Sequence, residues 1–384
     1  MSAKTLARTL AWRLRRLVRP PGGILVLDDV PPSRDFGAGM PRALEILRLL
    51  VAEGFAVRFL PMDAPWAPGA PTPDLPDGID VLRDRSKADL EVVLSDGVET
   101  LLVSRPHNMR LLRVVLDRRP DLKPARLIYD AEAVFANRTI RQAEVLGSPL
   151  TEAEAEAAIA EEVGLARLAD RVTAVTAAEA AQFSASGCPR VHVLADAPDA
   201  APTPRAFGER RDILFVGRLA EEGSPNVDSI HWFTTAVLSR LAERLRPAPR
   251  LILVGRDAAP SIRALDANPL VQRVGAVPDL APWYDRARIF VAPTRFAAGL
   301  PRKVLESAAA GLPVVGTSLL AAQIGWRDAS EMLTADEPEP FVAACIRLYK
   351  DEALWLSLRA AALVGVERHF TRQALRRSLI AALA

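Results

Sequence analysis

Glycine, cations and a glutamate cluster within residues 295–315, "RFAAGLPRKVLESAAAGLPVV". The alanines at 308–310 favour a short helix that ends at Gly311, so the preceding Gly-Leu-Pro lies at its N-terminus. Free backbone N–H groups and the helix dipole favour an anion at that end. The pattern is typical either of a ligand site or only of a well-capped helix. The residues that could contact a ligand are Gly299, Leu300, Arg302, Lys303 and Glu306.

Further cations follow the apolar runs of the C-terminal half. Gly217 and Arg218 follow "DILFV", Gly255 and Arg256 follow "RLILV", and Arg295 follows "RIFVAP". The carboxyl ends of parallel strands lie at one edge of a sheet, where ligands bind. Cations gathered there would suit a dianion such as a nucleoside diphosphate. The alternative is that these are ordinary solvated arginines in loops.

The N-terminal half offers a glycine loop after its first strand. In "PPSRDFGAG", Asp35 could contact sugar or phosphate and Gly37 permits a close approach, while Arg42 follows shortly after. The alternative is a surface loop with turn chemistry. The sequence does not separate the two.

Two other strand ends in this half carry polar residues. "SRPHNM" presents Arg105 and His107, and "YDAEAVF" presents Asp130 and Glu132. His107 could act as a general base, although a lone loop histidine is more often a surface residue. The carboxylates could orient a hydroxyl group or could cap the following helix.

Strands and helices that could position these residues alternate along the chain. "ILVLDD" and "AVRFLP" are predicted strands around a helix at 42–53, and the rhythm restarts at "DILFVG" after the proline-rich segment 196–205. A single helix is predicted at 226–245, and three more close the chain. The fold class is therefore α/β, with two tandem doubly wound parallel-sheet domains facing a cleft. The predicted boundaries are a helix at 1–20, domains at 21–198 and 199–370, and a final helix at 371–384.

Composition excludes several functions. A net charge of +2 over 384 residues does not suggest nucleic-acid binding. Cys188 and Cys345 lack metal-ligand spacing, which fits a reducing cytoplasm, and no apolar run is long enough to span a membrane. Residues 1–20 are basic, acid-free and amphipathic, which favours contact with an anionic membrane surface, a targeting role or a solvated helix.

The C-terminal half resembles the donor-binding domain of GT-B glycosyltransferases of the group 1 type, the retaining family four. The resemblance rests on "LFVGRL", "NVDSIHWF", "LILVGR", "RVGAVPDLAPWYDRARIFVAP" and "AGLPRKVLESAAAGLPVV". The N-terminal half is similar more loosely, through "ILVLDDVPPSRDFGAG", "RLIYDAEAVFANR" and "LADRVTAVTAAEAAQF". The resemblance also implies that the last helices cross back onto the N-terminal domain.

The resemblance implies roles on the donor side. Glu306 would accept hydrogen bonds from ribose hydroxyls, and Arg218 would hold the diphosphate. The lysine usual in the next loop is missing, and Lys303 could substitute for it. Ala298 stands where the family has a first glutamate that faces the donor sugar. The catalytic residues that the resemblance implies are Glu306, Arg218 and Lys303. The implied donor-binding residues are Gly217, Arg218, Gly255, Arg295, Gly299, Leu300, Arg302, Lys303 and Glu306.

The resemblance also implies an acceptor side in the N-terminal domain, where Glu132 takes the place of a family histidine. Its implied residues are Asp35, Gly37, Arg42, Arg105, Asp130 and Glu132. We expect a nucleotide-sugar glycosyltransferase that acts with retention on a glycan, glycolipid or polysaccharide, without a metal or other cofactor. The expected location is cytoplasmic, with the inner membrane face as an option. The alternatives are a non-catalytic sugar-binding scaffold and a nucleotide-sugar epimerase.

Overall fold

The computed structural model describes residues 23–33, 39–63, 74–188 and 190–384. The predicted helix at 1–20 and the candidate residues Asp35 and Gly37 lie outside these ranges. The chain divides into two compact units. Among the described residues, the first unit holds those up to Val134 together with Ala157–Leu194 and Arg376–Ala384, and the second holds Phe135–Glu156 and Ala195–Leu375.

A seven-stranded parallel sheet forms the centre of the first unit, in the order β3-β2-β1-β4-β5-β6-β7. Its strands β1 and β4 are buried along their whole length, as continuous apolar runs predict for a sheet covered on both faces. The strands are β1 (Ile24–Asp28), β2 (Val57–Pro61), β3 (Ile79–Val81), β4 (Thr100–Ser104), β5 (Arg126–Glu132), β6 (Arg171–Ala174) and β7 (Val191–Val193).

Helices pack against this sheet between successive strands. Helix α1 begins with Pro41 in its first turn and presents leucines to the core at helical spacing. The helices from the N-terminal half of the chain are α1 (Met40–Ala52), α2 (Leu90–Ser95), α3 (Pro106–Arg118), α4 (Phe135–Val145), α5 (Glu152–Gly164) and α6 (Ala177–Ala185). Of these, α4 belongs to the second unit, and α5 begins there and ends in the first.

The second unit is built on a six-stranded parallel sheet in the order β10-β9-β8-β11-β12-β13. Its strands are β8 (Asp212–Val216), β9 (Leu251–Val254), β10 (Val271–Gly275), β11 (Ala287–Ala292), β12 (Val314–Gly316) and β13 (Leu333–Thr334). Its other helices are α7 (Pro225–Ala236), α8 (Leu238–Arg244), α9 (Pro260–Arg263), α10 (Ala281–Arg286), α11 (Arg302–Ala309), α12 (Ser318–Ile324), α13 (Pro338–Lys350), α14 (Glu352–His369) and α15 (Arg372–Leu383).

The predicted α/β class with two parallel sheets is confirmed, and one predicted helix is wrong. The expected helix at 226–245 is two helices, because Val237 leaves the helical region at φ −121° and separates α7 from α8. Trp355 is buried in the hydrophobic core of the second unit. The last helix ends in the first unit, where Arg376 Nε donates to Glu53 Oε1 at 2.5 Å. No helix in the described ranges is long and apolar enough to cross a membrane.

Candidate functional site

Two glycines shape the carboxyl-end edge of the second sheet. Gly255 follows β9 with φ +130°, and a Cβ atom there would lie 2.1 Å from the carbonyl oxygen of Gly217 after β8. A Cβ on Gly217 would lie 3.0 Å from atoms of Phe215 and Asn226. The approach to the Gly217 carbonyl requires glycine at position 255, whereas a side chain at position 217 would only be tight against Phe215 and Asn226.

Lys303 lies in the first turn of α11 beside this backbone. Its Nζ donates to Asn226 Oδ1 and lies 4.7 Å from the centroid of the Phe215 ring. Asn226 Nδ2 donates in turn to the Arg218 carbonyl oxygen at 3.0 Å. Burial lowers the pKa of Lys303 to about 7, and no carboxylate among the described residues opposes that shift. In the part of the chain that the structure describes, the Lys303 amine therefore lies at a helix N-terminus without an anionic partner.

Arg302, unlike the adjacent Lys303, forms ion pairs with carboxylates. Its Nε donates to Glu306 Oε1 at 2.8 Å, and its Nη1 pairs with Asp196. Burial raises the pKa of Glu306, although Arg302 acts against the shift. Arg302 was predicted as a donor contact, and the geometry favours a positioning role because it holds the Glu306 carboxylate in place.

Of the three arginines predicted to gather at this edge, Arg218 and Arg295 are paired with carboxylates, and Arg256 is exposed. Arg218 is exposed, and its Nη2 lies 2.7 Å from Glu221 Oε1. Arg295 Nε donates to Asp228 Oδ2 at 2.9 Å, in the first turn of α7. Leu300 accepts a hydrogen bond from the Arg302 N–H at 2.8 Å. Gly299 has a φ of +77°, which favours glycine at that position.

The first unit carries a cluster of charges around Arg105, the residue that precedes α3. Arg105 Nε donates to Asp28 Oδ1 at 2.8 Å and lies 3.4 Å from Asp29 Oδ2, while its Nη2 lies 3.5 Å from Glu132 Oε1. The ends of β1, β4 and β5 thus meet at this guanidinium. Burial lowers the pKa of Arg105, but the charges of Asp28 and Glu132 outweigh burial, so the pKa of Arg105 is raised.

Glu132 is a buried acid at the end of β5. Burial raises its pKa to about 7, the charge of Arg105 opposes the shift, and Asp28 adds to it. A Cβ on Gly39 would lie 3.4 Å from Glu132 Oε1, so the start of α1 runs directly over this carboxyl group. Glu132 and Arg105 both have left-handed backbone, with φ of 57° and 76°.

Arg42 and Asp130, both predicted on the acceptor side, are buried against each other. Arg42 Nη1 and Nη2 donate to the two Asp130 carboxylate oxygens at 2.9 and 2.7 Å. Arg42 Nε also donates to the Leu194 carbonyl at 2.7 Å, and Thr173 Oγ1 donates to Asp130 Oδ1 at 2.5 Å. This geometry favours a brace that joins α1, β5 and β6 over direct contact with a substrate.

His107 pairs with Asp29, an acid that the sequence analysis did not select. His107 Nε2 lies 2.6 Å from Asp29 Oδ1, and Asn108 Nδ2 donates to the same oxygen at 2.9 Å. The hydrogen bond with Asp29 raises the pKa of His107, while burial opposes the shift. The acidic pair Asp28-Asp29 at a strand end is the sequence signal that could have found it.

Sequence reasoning also missed three polar partners in the second unit. Asn226 bridges Lys303 to the Arg218 carbonyl, Asp228 holds Arg295, and Asp196 holds Arg302. Asn226 and Asp228 lie in "NVDSIHWF", so their place in the first turn of α7 could have been predicted from Ser224 and Pro225 before them. Asp196 gives no local signal, because its partner is 106 positions away.

Comparison with known proteins assigns the second unit. Residues 210–351 match the family model "Glycosyl transferases group 1". This range contains both glycines and all the donor-side candidates. A sequence search against curated proteins finds no significant match.

Solved structures match almost the whole chain. Anabaena HepE in complex with UDP and glucose superimposes with a TM-score of 0.67 at 15% identity, covering 94% of this chain and 98% of that one. Sucrose-phosphate synthase from Thermosynechococcus elongatus gives 0.67 at 16% identity, covering 93% and 97%. A variant of S. aureus TarM in complex with Fondaparinux, alpha-GlcNAc-glycerol and UDP gives 0.67 at 7% identity, covering 93% and 99%. At these identities the likeness establishes the GT-B fold.

Proposed function

We propose that this chain, which has the GT-B fold and matches the model "Glycosyl transferases group 1" at residues 210–351, transfers a sugar from a nucleoside diphosphate sugar to a glycan or glycolipid hydroxyl. The observation that carries the proposal is Lys303. Its amine is buried at the N-terminus of α11 without a carboxylate from the described residues, while Arg218, Arg295 and Arg302 all have one.

A bound diphosphate would supply the negative charge that the Lys303 amine would otherwise pair with. The backbone N–H groups at the start of α11 and the helix dipole add to the same attraction. Negative charge develops on the diphosphate as the bond to the sugar breaks, so Lys303 stabilises the leaving group more strongly as the reaction proceeds. Glu306, held by Arg302, is placed one turn further along α11 to accept hydrogen bonds from ribose hydroxyls.

Retention and metal independence are parts of the same proposal. The leaving diphosphate can itself take the proton of the attacking hydroxyl, which needs no separate base and places the new bond on the same face of the sugar. Lys303 and the α11 dipole supply the positive charge that a divalent cation would otherwise supply. Contact of residues 1–20 with an anionic membrane surface, which would bring a lipid-linked acceptor within reach, is a further part of the proposal.

Ala298 favours a second candidate, a sugar-binding scaffold without catalysis. It leaves a methyl group where the resemblance places a carboxylate facing the donor sugar. A scaffold of this kind would bind nucleotide weakly or not at all and would release no nucleoside diphosphate from any donor.

Calorimetric titration with nucleoside diphosphates, in the absence of metal, tests the donor site. UDP is the first probe, because the HepE and TarM structures hold it. We expect one diphosphate to bind, Lys303→Met and Glu306→Ala to weaken it at least tenfold, and Lys350→Met to leave it unchanged, since Lys350 is an exposed lysine on α13. If no diphosphate binds, or if Lys303→Met binds as well as the unchanged chain, the proposal fails.

Turnover tests the finer claims once a donor is known. We expect release of nucleoside diphosphate to persist in EDTA, and NMR of the product to show the anomeric configuration of the donor. A strict requirement for Mg²⁺ would refute the metal-independent chemistry, and inversion would refute the assignment of retention. Binding without any turnover would favour the scaffold.

A further inference from the structure

Asp29 and His107 form a pair that the proposed transfer does not use. Asp29 Oδ1 contacts His107 Nε2 at 2.6 Å and also accepts from Asn108 Nδ2 at 2.9 Å. Asn108 is itself buried and donates to the Ser104 carbonyl at 3.0 Å. The carboxylate is therefore held by a rigid neighbour, and it fixes the orientation of the imidazole in turn.

The imidazole is fixed on one side and accessible on the other. The His107 side chain is 52% exposed, and its Nδ1 has no hydrogen-bond partner in the part of the chain that the structure describes. A carboxylate at Nε2 favours the tautomer with the proton on that nitrogen. The lone pair of Nδ1 is then available to accept a hydrogen bond from a ligand.

The charges around the pair discriminate between ligands. Among the described residues, Asp29, Asp63 and Arg105 act on His107, and Arg105 is shared with Asp28 and Glu132. Carboxylates outnumber the guanidinium in this set, so a phosphate group would be repelled. A neutral sugar hydroxyl can instead donate to Nδ1 or to a carboxylate oxygen at no such penalty.

Backbone strain lies at the same edge. Arg105 and Glu132 have φ values of 76° and 57°, in the left-handed region that is unfavourable for a residue with a side chain. The pairing of β5 with β6 is also irregular here, because its register shifts from Asp130 to Glu132. Such strain persists where the surrounding structure enforces it, and it concentrates at ligand sites.

We propose that the Asp29–His107 pair is the acceptor-hydroxyl site of this glycosyltransferase, and that His107 Nδ1 accepts the hydrogen bond of a neutral sugar hydroxyl. The inference rests on the proposed function and narrows it, because it names a sugar hydroxyl rather than a phosphate as the group recognised here. His107 touches the substrate, and Asp29 is a positioning residue that acts through it.

NMR titration of the histidine Cε1–H signals of the full chain tests the site. The chain has four histidines, and His107→Gln identifies the signal of His107. The probes are methyl α-D-glucopyranoside as the neutral polyol and inorganic phosphate as the anion, each added across a pH series. A hydroxyl that donates to Nδ1 stabilises the neutral ring and lowers the pKa of His107, whereas a bound anion raises it.

We expect the glucoside to shift the His107 signal in a saturable way and to lower its midpoint, while the signals of His231 and His369 stay in place. Asp29→Asn should lower the midpoint of the free protein and weaken the glucoside response at least about fivefold. The proposal is overturned if the glucoside gives no saturable shift, or if phosphate gives the saturable shift and raises the midpoint.

UDP binding in the same sample distinguishes failure of this inference from failure of the proposed transferase function on which it rests. If UDP binds and the glucoside does not, the acceptor site is misplaced while the transferase proposal stands. If the glucoside binds and UDP does not, the transferase proposal fails. Once a donor is known, His107→Gln should raise the acceptor KM severalfold and leave the donor KM unchanged, a split that a merely structural histidine would not produce.

Discussion

Glu132 in the first unit and Lys303 in the second carry opposite charges, yet burial brings the pKa of each to about 7. Their surroundings differ. Glu132 faces a guanidinium 3.5 Å away, and two further carboxylates share that guanidinium. Lys303 contacts the Asn226 amide and the Phe215 ring, and no carboxylate among the described residues acts on it.

The difference shows what each sheet edge still needs. Carboxylates outnumber the guanidinium of Arg105 at the edge of the first unit, so this edge suits a neutral ligand that brings hydrogen bonds rather than an anion. At the edge of the second unit, the buried amine of Lys303 lies beside a helix N-terminus without a carboxylate from the described residues, so this edge suits an anion. The edges of the two sheets therefore suit two chemically different ligands.

Replacing the shared cation of the first unit should have the largest effect. We expect Arg105→Met to lower the free energy of unfolding by about 3–5 kcal/mol, because Asp28 would be left buried without its partner. Urea unfolding at pH 7 measures the change. Arg110→Met on the same helix is the matched control, since its pair with Glu161 is exposed and should contribute less than about 1 kcal/mol. Equal losses in the two variants would contradict the role of Arg105.

Gly255 tests the close backbone approach in the second unit. We expect Gly255→Ala to lower the free energy of unfolding by at least about 2 kcal/mol, since the new methyl group would overlap the Gly217 carbonyl. Diphosphate binding should fall with it. Gly223→Ala has a comparable positive φ and no atom within 4 Å, so it should lose only about 1 kcal/mol and keep its affinity. Thermal unfolding and calorimetry of both variants decide the point.

Lys303→Met should act in the direction opposite to Arg105→Met. The folded pKa of about 7 lies below the ordinary value of 10.5, so the unfolded chain binds more protons between these values and the penalty for Lys303 is complete below pH 7. We expect the ligand-free variant to gain about 1–3 kcal/mol at pH 6, with the gain fading as pH rises towards 10.5. A loss of stability at pH 6 would show that Lys303 already has an anionic partner.

Glu132→Gln should give the smallest effect and the mirror-image pH dependence. The folded pKa of about 7 lies above the ordinary 4.5, so the favourable contribution of the protonated acid is complete below pH 4.5 and is lost as pH rises through 7. We expect the two proteins to be equally stable at pH 4.5 and the variant to gain about 1 kcal/mol at pH 8. Unfolding midpoints that differ equally at both pH values would refute the raised pKa.

Sequence reasoning was most successful where function and local structure share a segment. The short helix before Gly311, the glycines at 217 and 255 and the cations near 302 all follow from neighbours in the chain, and residues 210–351 match the family that the motifs suggested. The helix at 226–245 failed, because the break at Val237 depends on packing of α7 and α8 rather than on a proline or glycine.

The acceptor side was harder to predict from the sequence, because its residues come from distant parts of the chain. Arg42 and Asp130 are 88 positions apart, and Asp29 and His107 are 78 apart. Arg42 was a reasonable candidate as an arginine near a glycine loop, but burial against Asp130 gives it a bracing role. The acidic pair at the end of β1 is visible in the sequence, but the contact of Asp29 with His107 depends on β1 and β4 lying side by side.

The sequence by itself determined the alternation of strands and helices, the two parallel sheets and the helix N-terminus at 302, because periodicity, glycine and proline act over a few residues. Only the tertiary structure decided which charges are matched. Arg302 and Lys303 are adjacent in sequence, yet Arg302 pairs with Asp196 and Glu306, while Lys303 meets no carboxylate among the described residues. The physical reason is that a pKa and a free charge depend on burial and on partners that the fold brings from elsewhere in the chain.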